Sequence, residues 1–207
     1  MRVVKNLLVL YTGGTIGMLQ TPEGLAPAGG FEARMRAWLE QHPDAPYPEW
    51  RLRELSPLID SANMQQANWL AMRDAIVEAV KQDGHDGVLL LHGTDTLAYS
   101  AAALSFLLLG LDVPVLLTGS MLPAGVADSD AWDNLGGALA LFTEGLESGV
   151  QLFFAGTLMA GVHASKLRSE AFDAFAAQPR HRDGQRATEL PAVCLLYTSD
   201  AADEEGR

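Results

Sequence analysis

The sequence predicts an α/β fold: a doubly wound, mostly parallel sheet with helices on both faces, in the Rossmann/flavodoxin-like three-layer arrangement. Three observations predict it. Apolar runs of strand length recur at 87 to 91, 113 to 117 and 150 to 154, and longer segments of helical period separate them. The runs are apolar throughout rather than alternating, as strands buried on both faces are. Each ends in a glycine-bearing turn, as strands feeding crossover helices do.

The elements follow in order. Residues 3 to 11 form a β-branched and leucine run that stops at Thr12-Gly13-Gly14, which makes strand one. Residues 21 to 30 are rich in Pro, Gly and Ala without period and read as a surface loop, followed by a helix over 31 to 40. Pro43, Pro46 and Pro48 exclude regular structure until a short strand at 51 to 55, ended by Ser56-Pro57. Trp69, Met72, Ile76 and Val80 sit at helical spacing within a helix over 66 to 82, closed by Asp83-Gly84. A strand at 87 to 91 and an alanine and leucine helix at 97 to 109 follow, then a strand at 113 to 117, a helix at 133 to 147 and a strand at 150 to 154.

Composition narrows the class. The chain has 207 residues, of which 48% are hydrophobic and 19% charged, so a sizeable core is within reach and no apolar run is long enough to span a bilayer. The formal charge of -12 disfavours nucleic acid and anionic membranes as partners. The single cysteine, Cys194, excludes an internal disulfide and a cysteine zinc cage; with no export signal visible, a reducing, cytoplasmic location is expected. The five histidines have no ligand spacing, so neither a metal nor a cofactor is expected. Residues 194 to 207 resemble the in-frame translation of a sequencing-library adapter and are set aside as a non-native tail, leaving one domain over 1 to 193.

Ligands of open parallel sheets bind beyond the carboxyl ends of the strands. There the sequence places hydroxyls and glycines: Thr12, Gly13, Gly14 and Thr15; Asp60 and Ser61; His92, Gly93, Thr94 and Asp95; Thr118, Gly119 and Ser120. Small residues let backbone amides approach a carboxylate or an oxyanion, and a threonine hydroxyl becomes a nucleophile when a base takes its proton. Asp95 and Lys166 are the available relay. Each piece has a plainer reading: a simple turn at 12 to 17, a satisfied core histidine at 92, a helix cap at Asp95, an exposed lysine at 166.

Taken together, Tyr-Thr-Gly-Gly-Thr-Ile-Gly-Met at 11 to 18, Pro-Leu-Ile-Asp-Ser at 57 to 61, Leu-His-Gly-Thr-Asp-Thr-Leu-Ala-Tyr at 91 to 99 and Leu-Thr-Gly-Ser at 117 to 120 resemble the bacterial asparaginase and glutaminase family, and its type I L-asparaginases in particular. Asn134-Leu135, Lys166 and Phe-Asp-Ala-Phe at 172 to 175 agree. The resemblance implies an amidohydrolase that converts L-asparagine to L-aspartate and ammonia through a covalent intermediate on Thr15. It implies a relay of Thr94, Asp95 and Lys166, substrate contacts from Asp60, Ser61, Ala62, Gly14, Gly93 and Ser120, and a homodimer or homotetramer acting on asparagine, with glutamine left open. It also implies a second, carboxyl-terminal domain, without which the chain would hold catalytic residues but no working pocket.

One residue departs from the family pattern. The loop after strand one usually offers a tyrosine that helps activate the nucleophile, and Leu25 stands there, in Gly24-Leu25-Ala26-Pro27. Two other readings stay in view: an asparaginase-like subunit of a tRNA-dependent amidotransferase, disfavoured by the acidic charge and by a strand one that leaves no room for a preceding domain, and an inactive or amino-acid-binding fragment.

Overall fold

Strand β1 (Asn6–Gly13) shows why the centre of the molecule is a parallel sheet: every residue from Leu7 onward is buried, and alternate side chains enter different cores. Leu8 and Leu10 pack on one face, Leu7, Val9 and Tyr11 on the other. The computed structural model describes residues 1–22, 24–26 and 29–177; the tail at 194 to 207 and the end of the expected 1 to 193 domain lie outside the described residues.

A short hairpin follows, β2 (Leu19–Thr21) against β3 (Gly24–Ala26), then helix α1 (Phe31–Gln41), strand β4 (Glu49–Ile59) and helix α2 (Gln66–Lys81). Strand β5 (Gly87–Leu91), helix α3 (Leu97–Leu107), strand β6 (Pro114–Thr118), helix α4 (Ala131–Glu144) and strand β7 (Gly149–Phe154) complete the alternation. Strand β8 (Thr157–Ala160) turns back antiparallel on β7, and a second hairpin pairs β9 (Ala164–Lys166) with β10 (Phe175–Ala177).

The six-stranded sheet has the order β4-β1-β5-β6-β7-β8, parallel except for β8. Helices α2 and α3 cover the face bearing Leu8, Leu10, Leu90 and Leu117, and α1 and α4 cover the face bearing Val9, Leu89 and Leu116. The three-layer, mostly parallel expectation holds. Because β4 lies on one side of β1 and β5 on the other, the chain reverses its direction of progress at the β1–β5 pair, and an open sheet forms its ligand crevice at that point.

Two local expectations fail. The strand expected at 51 to 55 runs from Glu49 to Ile59, passing through the cis Ser56-Pro57 bond. Proline is tolerated there because β4 is an edge strand and needs no second ladder partner at that position. The irregular loop expected at 21 to 30 holds β3, which pairs back on β2, and there Gly24 takes a φ of 118°, a conformation open to glycine.

Candidate functional site

The turns after β1, β4, β5 and β6 meet at the carboxyl edge of the sheet, and glycines let them touch. A side-chain carbon on Gly14, whose φ is 87°, would collide with the Gly93 backbone. One on Gly93 would collide with Ser61, one on Gly119 with the His92 carbonyl, and one on Gly13 with the Ile59 carbonyl. The crevice floor is therefore backbone against backbone, a spacing no other residue type permits.

Lys166 reaches this floor from β9, 72 residues after its partner. Its Nζ donates to Thr94 Oγ1 at 3.0 Å and to Asp95 Oδ1 at 3.2 Å. The Lys166 side chain is 18% exposed while that of Asp95 is 57% exposed, so the ammonium is sheltered and the carboxylate faces solvent. Sequence explains the placement: Lys166 pairs with Phe175 across the β9–β10 hairpin, and the buried Phe175 ring packs on Phe154 with centroids 4.7 Å apart. The Leu167 and Arg168 amides close the hairpin on the Ala174 carbonyl. Asp95 does not cap α3, since Thr96 is the N-cap residue, and the Thr96 hydroxyl instead donates to the Ser61 carbonyl at 2.8 Å, tying the β5 turn to the β4 turn.

The other expected residues divide. Thr15 is half-buried at the start of a 3-10 turn (Thr15–Gly17), next to the Gly14–Gly93 contact; the ion-pairing Nζ of Lys166 is engaged by Thr94 and Asp95. Asp60 is exposed and its carboxylate accepts from the Ala62 amide at 3.1 Å and from Asn63 Nδ2 at 3.0 Å, while Ser61 is buried against Gly93 and Ala62 is exposed. Ser120 is fully buried and its hydroxyl donates to the Leu122 carbonyl at 2.5 Å, so its side chain braces its own loop instead of facing a ligand. Thr12 and Thr118 correct the picture of a hydroxyl-lined crevice: they donate inward, to the Leu91 and Phe153 carbonyls at 2.9 and 2.8 Å, and join neighbouring strands.

Among the supporting residues, Asp130 and Ser100 carry no local signal. Asp130 accepts from the Met121 and Leu122 amides and from Asn134 Nδ2, and Asn134 in turn donates to the Gly119 carbonyl and accepts from the Ala155 amide. Their i, i+4 spacing, from the N-cap of α4 into its first turns, could have suggested a pair, but not the turns it clamps. Ser100 and Trp69 join His92 in a buried chain of hydrogen bonds. His92 itself is a satisfied core histidine, its pKa lowered from 6.5 to about 4 by burial, with the Gly93 carbonyl opposing that shift.

Against Gly17, in the turn that Thr15 begins, the Tyr11 ring is fully buried, stacked on Phe31 at 5.2 Å, and its hydroxyl has no hydrogen-bond partner. Burial raises its pKa to about 12, with Arg34 lowering and Glu54 raising it. Leu25, on β3, is 47% exposed. Among the described residues no group of three or more His, Cys, Asp or Glu is placed to hold a metal, and no helix is long and apolar enough to cross a membrane.

Residues 6–189 match the family model described as Asparaginase, N-terminal. The chain is 39% identical to L-asparaginase 1 of Escherichia coli K12 over 175 residues, which cover 84% of this chain and 51% of that protein. It is 31% identical to a glutamyl-tRNA(Gln) amidotransferase component of Methanopyrus kandleri over 185 residues, 82% of this chain and 38% of that one. The crystal structure of L-asparaginase I from Vibrio cholerae superposes with a TM-score of 0.74 at 37% identity, covering 86% of this chain and 52% of that one. The chain thus spans about half the length of the L-asparaginases it matches, and the glycine floor with its sheltered lysine lies inside the matched region: the chain belongs to the asparaginase family, in the part that its amino-terminal family model describes.

Proposed function

We propose that this chain carries the nucleophile-bearing site of an L-asparagine amidohydrolase, with Thr15 as nucleophile and Thr94, Asp95 and Lys166 as its proton relay. The observation that carries the reading is Lys166 Nζ bonded to both Thr94 and Asp95 at the one place where the sheet order reverses, beside the Gly14–Gly93 contact. A sheltered ammonium lowers the cost of removing a proton from a nearby hydroxyl.

In the proposed reaction the Thr15 hydroxyl adds to the side-chain amide carbon, and its proton passes through the Thr94–Lys166 pair to the departing nitrogen. The carbon–nitrogen bond breaks, ammonia leaves, and a β-aspartyl ester remains on Thr15. Water adds to the ester, its proton returns to the threonine oxygen, and aspartate is released. Backbone amides at Thr15 and Thr94 polarise the amide oxygen. Asp95, whose carboxylate is exposed, accepts from the substrate ammonium, and Asp60, Ser61 and Ala62 take its other α-groups. Ser120 enters as a loop brace.

In this proposal residues 1 to 193 form an amino-terminal domain whose pocket needs further chain to close, in keeping with the half-length match to the Escherichia coli relative. The working enzyme is a cytoplasmic homodimer or homotetramer that takes asparagine, with glutamine open, and uses no metal or cofactor. A second reading, amino-acid binding without turnover, is favoured by one observation: Leu25 has no group that could help deprotonate Thr15. Ammonia release from L-asparagine by the intact gene product separates the two. The wild type turns over, and Thr15→Ala lowers kcat by at least about a thousandfold with an unchanged unfolding midpoint. Undiminished ammonia release by Thr15→Ala would end the nucleophile assignment.

A further inference from the structure

Gly93 is required by close approach on two sides, to Gly14 and to Ser61, and the requirement has a cost. Without a side chain at 93, the two peptides that border it, Gly93–Thr94 among them, can swing more freely than peptides between residues that carry a Cβ. A peptide is planar and trans, so its carbonyl and its N–H point in opposite directions, and whatever holds one aims the other.

The Gly93 carbonyl is held. His92 Nδ1 lies 2.7 Å from it, and a carbonyl can only accept, so Nδ1 carries the proton. The ring is buried and neutral at pH 7, which leaves Nε2 bare. Nε2 lies 2.9 Å from Ser100 Oγ, so the serine hydroxyl donates to it, and the serine oxygen accepts in turn from Trp69 Nε1 at 2.8 Å. An indole N–H only donates, so every proton in the chain from Trp69 through Ser100 and His92 to the Gly93 carbonyl has one possible place. Ser100 and Trp69 belong to α3 and α2, so the two helices of one face together fix one ring tautomer.

We infer that His92 is a positioning residue: by holding the Gly93 carbonyl it aims the Thr94 N–H of the same peptide away from the core, at the oxygen of the amide being cleaved. The inference rests on the amidohydrolase reading above and adds to it a named support for one of the two amides. It accounts for a buried histidine in a turn whose own chemistry needs none, and for the proton direction of the network.

The test uses the intact gene product and three replacements. Asn at 92 places an amide donor where Nδ1 lies and keeps the bond to Gly93; Gln places it at the Nε2 end and loses that bond; Leu keeps neither. His92→Gln and His92→Leu are expected to lower kcat by roughly ten- to a hundredfold with KM within about threefold, because a donor that acts on the transition state is misaimed. His92→Asn is expected to recover kcat to within about threefold of wild type. If Leu fails to fold, the Gln and Asn pair carries the comparison. Wild-type kcat in His92→Gln, or equal loss in Gln and Asn, overturns the inference and leaves the amidohydrolase reading intact. Absence of ammonia release by the wild type overturns both. Nitrogen NMR of the histidine ring checks the network without turnover: a proton on Nδ1 and a bare Nε2 are expected, and the opposite tautomer would refute the inference alone.

Discussion

The β5 turn and the β1 turn lie side by side, touch through Gly93 and Gly14, and are supported in opposite ways. Under the β5 turn, each polar group of the Trp69–Ser100–His92 chain has a partner. Under the β1 turn, the Tyr11 hydroxyl has none; the Thr15–Gly17 turn is tied by its own backbone bonds, by Arg34 Nη2 donating to the Gly17 carbonyl at 2.8 Å, and by the Ala124 amide bonded to the Ile16 carbonyl. The turn that would bind the amide oxygen is thus set by buried hydrogen bonds. The turn that would supply the nucleophile rests on backbone hydrogen bonds, its own and one from Ala124, and on one long arginine from α1, the helix that follows the hairpin bearing Leu25. The β5 turn is thus backed by a chain of side-chain hydrogen bonds, and the β1 turn by backbone bonds and one arginine.

Three measurements sharpen or break that comparison. The largest effect is expected where the two turns meet. Gly14→Ala puts a carbon into the Gly93 backbone at a φ of 87°, where nothing flexible can yield, and should destabilise the chain by more than about 4 kcal/mol or prevent folding. A stable variant with a wild-type urea midpoint would mean that the turns are not in contact.

The second effect is a pH dependence confined to the β5 side. His92 takes up its proton at about 4 in the fold and at 6.5 as a free side chain. Between those values the unfolded chain gains a proton that the folded one refuses, so the stability present above pH 6.5 is lost as pH falls toward 4, by about 3 kcal/mol in all. Urea unfolding of wild type and His92→Asn at pH 7.5 and 4 should show the wild type losing about that much more than the variant. Parallel losses in both would show that His92 titrates in the fold as it does in water.

The smallest effect belongs to the β1 side. Tyr11→Phe removes a buried hydroxyl that bonds to nothing, so stability should be unchanged or higher by up to about 1 kcal/mol. In the intact gene product, ammonia release should be unaffected, since the hydroxyl lies beneath Gly17 and not at the crevice surface. A loss of more than about 1 kcal/mol, or of turnover, would show that Tyr11 has a partner or stands in for the tyrosine absent at Leu25.

Much of the frame was legible because its signals are local. The strand at 87 to 91 coincides with β5, and the helix expected over 66 to 82 ends within a residue of α2. Glycines at 13, 14, 93 and 119 marked the turns, and the signature segments placed Thr15, Thr94, Asp95 and Lys166 on the same short list. Less legible were the short strands β8, β9 and β10, whose three or four residues are too few to establish an alternation, and β4, whose Pro57 reads as a stop though an edge strand admits it.

Residue by residue, the order of types along this chain determined which segments become strands and helices, because burial on one face of a helix imposes a period and burial on both faces of a strand imposes a short unbroken apolar run. It also determined that the turns would be small and polar. Which of those turns meet, and which hydroxyl serves a ligand or merely a neighbouring strand, was decided only by tertiary structure. Thr12 and Thr94 are the same residue type in similar turns, yet one donates inward to Leu91 and the other accepts from a lysine 72 residues away. A hydrogen bond depends on distance and direction to a partner, and for a partner so far along the chain both exist only once the sheet and its helices have closed around them.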